Sequence, residues 1–191
     1  MDLATYEFRN QSWFDIDTFT TFQQAIPMKT LVIHCFDPRA TEIPHAVAEY
    51  LGDEVYPGEN LLDADGNRVG HTRTLFTYVN GGGRAAQALE GVAMMEYLFR
   101  VQNVAVVHHS FCGLTSMTPE HIVDYFHDHH DADLSEFDRD SWTISDYNES
   151  IGYDLALLRN SPAVPKHVKL YGFFYEISSG KLIELGRDIP A

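Results

Sequence analysis

The chain has 191 residues, of which 45% are hydrophobic, 13% aromatic and 21% charged, a composition that folds around a core and excludes a disordered or low-complexity protein. Thirteen Lys and Arg against 28 Asp and Glu leave a net charge of −15, which repels phosphate backbones and anionic lipid headgroups and so excludes nucleic acid and membrane surfaces as partners. The same field does not draw in an anion, and a small neutral molecule is the expected substrate class.

No apolar run approaches the roughly 20 residues of a membrane span, and Met1 to Asn10 has neither the basic flank nor the apolar stretch of a secretory leader. A cytoplasmic protein is expected, in which Cys35 and Cys112 remain thiols rather than forming a disulfide. The length suits one domain, residues 1–191, with residues 1–29 as an N-terminal helical extension that includes a helix over Trp13 to Ala25.

From there strands and helices alternate. Leu31 to Cys35 is a short apolar, β-branched run stopped by Asp37-Pro38, as a buried strand would be. Gly52 to Arg73 is a polar insert. Its Asp63-Ala-Asp65-Gly66-Asn67 resembles the start of a calcium loop but has Arg68 at the sixth position and Thr74 at the twelfth, and reads as a surface turn. Leu75 to Val79 is a second strand, closed by Asn80-Gly81-Gly82-Gly83; no Lys-Ser/Thr follows, so the glycines form a packing turn and not a phosphate loop. Arg84 to Arg100 carries apolar residues at three and four spacing and predicts a helix with one face on a sheet. Val104 to Val107, running into His108-His109, is the third strand. Thr118-Pro119 opens a helix toward His130, whose His121, His127, His129 and His130 read as a solvated helix end. Ser145 or Asp146 caps a helix running to Arg159, ended by Ser161-Pro162. His167 to Tyr175 and Lys181 to Leu185, joined through Ser178-Ser179-Gly180, form a terminal hairpin. The expected fold is α/β: a mainly parallel central sheet flanked by helices, with the N-terminal helical extension and a C-terminal hairpin.

Two motifs carry chemistry. Cys35-Phe36-Asp37-Pro38-Arg39 follows the first strand and His109-Ser110-Phe111-Cys112 follows the third. In an open parallel sheet the ligand crevice lies beyond the strands' carboxyl ends, so the two segments can meet there. Together they offer two sulfurs and one imidazole, which suit Zn²⁺, and three protein ligands leave the fourth tetrahedral position open as in catalytic zinc sites. Asp37 could reach the metal or its water, and Arg39 can clamp that carboxylate in its ionised form. His34 and His108 precede proposed ligands and, by strand alternation, face the other way as core or supporting residues. Two other readings of the motifs are a catalytically silent zinc domain closed by Asp37 and a metal-free domain with two buried cysteines.

The ordered pair of motifs, together with Asn80-Gly-Gly-Gly-Arg84 and the strand and turn from Val104 to Gly113, resembles the β-class carbonic anhydrase family over roughly residues 30 to 185, in particular its short members, which include carbonyl sulfide hydrolases. The resemblance implies a zinc held by Cys35, His109 and Cys112, an Asp37–Arg39 dyad beside it, and a homodimer or dimer of dimers with each site at a subunit border. It also implies attack by a zinc-activated hydroxide on a small neutral heterocumulene, either CO2 hydration to bicarbonate or carbonyl sulfide hydrolysis to CO2 and hydrogen sulfide. Pro38 stands where the family usually has serine, Val79 where many members have arginine, and Gly81 in place of alanine. These departures surround the pocket and leave the metal ligands intact.

Overall fold

A computed structural model describes residues 1–12, 14, 25–137 and 139–190. The helix expected over Trp13 to Ala25 lies, apart from Phe14 and Ala25, outside the described residues; ahead of it, Leu3–Tyr6 and Phe8–Asn10 form short 3-10 turns. The central sheet has five strands: β1 (Thr30–Cys35), β4 (Leu75–Asn80), β5 (Asn103–His109), β6 (Lys169–Glu176) and β7 (Lys181–Asp188). They lie in the order β4-β1-β5-β6-β7, the first four parallel and β7 antiparallel to β6 as the terminal hairpin. A separate antiparallel ribbon, β2 (Asn60–Leu62) with β3 (Arg68–His71), forms the polar insert. Its turn is closed by Asp63, whose carboxylate accepts the N–H groups of Asp65 and Asn67. The calcium-like stretch is thus a surface turn.

Alternation along the strands builds two cores. Leu31, Ile33, Val104, Val106 and Leu170 point to one face, where α2 (Leu89–Phe99) and α4 (Tyr147–Asn160) bury Val92, Ile151, Leu155 and Leu158. Val32, Ala105, Val107 and Phe173 point to the other and meet Ile43, Val47 and Ala48 of α1 (Ile43–Leu51). This two-faced burial is why the parallel strands read as continuous apolar runs. Helix α4 begins where Asp146 accepts the N–H groups of Asn148 and Glu149, and α3 (Pro119–His130) begins at a Thr118–His121 capping box and buries none of its residues. Helix α2 starts later than its apolar spacing predicts, at Leu89 instead of Arg84. The Arg84 N–H is taken by Asn80 Oδ1 and its carbonyl by Asn80 Nδ2, which holds this stretch as a turn. Among the described residues no helix is long and apolar enough to cross a membrane.

Candidate metal centre

Strand β1 ends at Cys35 and its neighbour β5 ends at His109. On the other side of β1, Cys35 is in register with Asn80, the last residue of β4. The centre therefore sits at the carboxyl edge of the sheet, where the connections from β4 and β5 leave on either side of β1. A tight turn through Ser110 and Phe111 returns the chain so that Cys112 faces Cys35. Phe111 adopts φ 55° to make that turn, a conformation worth roughly 1–2 kcal/mol of strain for a side chain bearing a Cβ.

Cys35 Sγ, Cys112 Sγ and a His109 ring nitrogen all lie within 4.8 Å of one another, and all three residues are buried. Both thiols are free. His109 Nδ1 is 2.9 Å from the Ser110 carbonyl; a carbonyl can only accept, so the proton is on Nδ1 and Nε2 presents a lone pair. That Nε2 is buried without a hydrogen-bond partner. An unpartnered imidazole nitrogen beside two sulfurs fits Zn²⁺ in donor type and number. Cys35 accepts from the Cys112 thiol and from the N–H groups of Asp37 and Gly82 and, with the His109 ring beside it, lies well below the ordinary thiol range against the effect of burial. Cys112, the donor toward Cys35, is pushed up by that bond and by burial.

Asp37 lies outside this convergent set. Its Oδ1 accepts from the Arg39 backbone N–H at 2.9 Å and from Nε at 3.0 Å, and its Oδ2 from Nη2 at 2.6 Å. Arg39 Nη2 also reaches the Phe111 carbonyl at 3.1 Å, tying the two motif loops together. The Arg39 guanidinium holds the Asp37 carboxyl far below the usual carboxylate range. Three of the four lone pairs of Asp37 are occupied, so Oδ2 keeps one acceptor position.

The surroundings are apolar. Phe36, Phe111 and Val79 are 70%, 74% and 49% exposed at the strand ends. A cleft of about 350 Å³ beside Cys112 is lined by Ser110, Phe111, Thr115, Ile144, Ser145 and Tyr147, and the Tyr147 hydroxyl donates to the His109 carbonyl at 3.0 Å. His34 and His108 are buried away from the cluster. His34 Nδ1 is 3.0 Å from the Cys35 carbonyl, and His108 Nδ1 is 2.9 Å from the Gly82 carbonyl. Burial, with the nearby Arg84 charge, pushes His108 down to about 3. The motifs do not reveal a buried ion pair behind the centre, between Arg84 of the glycine turn and Asp154 of α4 at 2.9 Å. The readable signals for it were an arginine at the end of a glycine turn and an aspartate among the apolar positions of a helix.

The sheet is that of the β-class carbonic anhydrase fold, and the fold that the resemblance implies is borne out. The carbonic anhydrase of Streptococcus mutans superposes with a TM-score of 0.61 at 22% identity, covering 89% of this chain and 96% of that one. In sequence the chain is similar to the carbon disulfide hydrolase of Acidithiobacillus thiooxidans, 25% identical over 146 residues, 68% of this chain and 71% of that protein. The apo form of a carbon disulfide hydrolase superposes with a TM-score of 0.58 at 20% identity, covering 83% of this chain and 79% of the other. No protein-family model matches the chain.

Proposed function

We propose that the chain is a zinc enzyme that adds water to a small neutral heterocumulene. The observation that carries this reading is the convergence of Cys35, His109 and Cys112 with an orphaned imidazole nitrogen, with a clamped carboxylate at the same edge. Zinc held there would supply a Lewis acid that brings the pKa of water down to about 7. The chain's own residues do the rest. Asp37, kept ionised by Arg39, is too weak a base to take a proton outright near neutral pH and works by accepting a hydrogen bond at the free Oδ2 position, which orients the attacking water. The bidentate Arg39 clamp holds that carboxylate in one orientation. Phe36 and Phe111, exposed beside the two cysteines, supply an apolar rim that suits a linear, weakly polar molecule.

That rim, with Val79 in place of a cation, favours a sulfur-bearing substrate such as carbonyl sulfide over CO2, in keeping with the likeness to a carbon disulfide hydrolase. The net charge of −15 likewise suits a neutral substrate. A zinc-loaded preparation assayed in parallel on CO2, carbonyl sulfide and carbon disulfide tests the reading: turnover of a sulfur-bearing substrate is expected, and a fully zinc-loaded protein inert to all three overturns it. An oligomer, a dimer or dimer of dimers, completes the proposal, because the aromatic rim needs a cover; an active monomer by light scattering contradicts that part. Two free thiols suit a cytoplasmic location.

A further inference from the structure

Behind the candidate centre lies a buried polar cluster that the proposed chemistry does not use. Arg84 is 1% and Asp154 0% exposed in their side chains. The guanidinium gives Nε to Asp154 Oδ2 at 2.9 Å, Nη2 to Oδ1 at 3.2 Å and to the Asp140 carbonyl at 3.4 Å, and Nη1 to the Thr143 carbonyl. A buried ion pair is a weak source of stability, because desolvation offsets most of the attraction. What it does here is geometric. The Arg84 backbone is locked to Asn80, which closes the turn carrying three successive glycines, the most conformationally free run in the chain. Gly83, at φ 70°, is pressed so closely onto the sheet edge that a Cβ there would stand 2.6 Å from the Val107 carbonyl and 2.9 Å from His34 Cα.

Gly82 is held by its two polar groups. Its carbonyl accepts from His108 Nδ1 at 2.9 Å, while its N–H faces Cys35 Sγ. His108 is fully buried, and its Nε2, without a hydrogen-bond partner, lies 3.6 Å from Asp154 Oδ2. A continuous line therefore runs from the Arg84–Asp154 pair through the His108 ring and Gly82 to the Cys35 sulfur. We propose that His108, seated against the Arg84–Asp154 ion pair, is a positioning residue for the metal centre: it fixes Gly82 so that the Gly82 N–H stays aimed at Cys35 Sγ and tempers the charge that sulfur donates to a metal. The inference rests on the reading of Cys35 as a metal ligand.

The full chain is loaded with Zn²⁺, with Co(II) and with an NMR-active cadmium isotope. In the wild type, the Gly82 amide proton is expected to show scalar coupling to cadmium through the Cys35 sulfur. His108→Leu removes the donor and is expected to weaken Zn²⁺ in chelator competition by roughly 10- to 100-fold, the range for residues that orient metal ligands. It should also move the sulfur-to-cobalt charge-transfer band to lower energy. His108→Asn places an amide N–H near the position of Nδ1 and is expected to restore both, which a merely structural role would not produce. Bound cadmium without coupling at Gly82 overturns the proposal, as does a His108→Leu protein with wild-type affinity and band, or a His108→Asn protein as impaired as His108→Leu. Should His108→Leu not fold, the wild-type coupling and the His108→Asn affinity decide. A wild type that binds none of the three metals removes the metal-centre reading itself, a result distinct from metal bound without coupling.

Discussion

Asp37→Asn separates orientation from metal binding. The substitution keeps the side-chain size, and Oδ1 can still accept the Arg39 backbone and Nε donors found at 2.9 and 3.0 Å. The second position changes sign: an amide N–H₂ replaces the oxygen that receives Arg39 Nη2 at 2.6 Å, so two donors face each other and the remaining acceptor position is lost. Arg39 is exposed and the pair lies at the surface, where ion pairs contribute little to stability, so the thermal midpoint should stay close to wild type. Asp37 is also outside the three-residue cluster, so zinc content should remain unchanged. Turnover should fall by roughly 10² to 10⁴-fold, the range for positioned proton-handling groups. The assay is the initial rate on carbonyl sulfide and on CO2 at several pH values, beside zinc content in the same samples. Unchanged turnover on both substrates would refute the orienting role; loss of zinc would show Asp37 to be a ligand.

Cys35→Ser and His109→Ala should each lose most of their zinc by elemental analysis while Asp37→Asn does not, since only the first two remove a donor from the cluster; full zinc in either contradicts the ligand set. Asp154→Ala leaves Arg84 buried and unpaired and should destabilise by about 3–5 kcal/mol in urea unfolding, whereas Arg84→Met with Asp154→Leu should lose much less. A double variant as unstable as the single one contradicts that account. Phe111→Gly removes an exposed side chain at φ 55° and should stabilise by up to about 1 kcal/mol while keeping zinc, because glycine adopts that conformation without strain. A clear loss of stability there means that the Phe111 ring packs on a partner.

The strand ends were the most legible part of the molecule. Leu31 to Cys35 and Val104 to His109 announce themselves by composition, and because both are parallel neighbours their carboxyl ends had to bring Cys35, His109 and Cys112 to one edge. The Asp146 cap of α4 and the hairpin of β6 and β7 are equally local and were readable for that reason. Helix α1 was not anticipated, although Ile43, Val47 and Leu51 recur at helical spacing and Gly52 ends it in a left-handed conformation; the run is short and follows directly on the Asp37-Pro38 turn. The ribbon in the insert escaped because its strands are three and four residues long and largely exposed, without a buried face to pattern them. The Arg84–Asp154 pair joins residues 70 positions apart. Nothing in either local sequence requires the other, so only the packing of α4 on the sheet brings them together.

In the proposed chemistry, turnover depends on one zinc held by Cys35, His109 and Cys112. Stepwise addition of zinc to metal-free protein, with carbonyl sulfide consumption measured at each step, tests it most directly. Activity should be absent at the start, rise in proportion to zinc and level off at about one ion per chain, the number that a single three-donor site can hold. Consumption by the metal-free chain, or none once the site is filled, would contradict it.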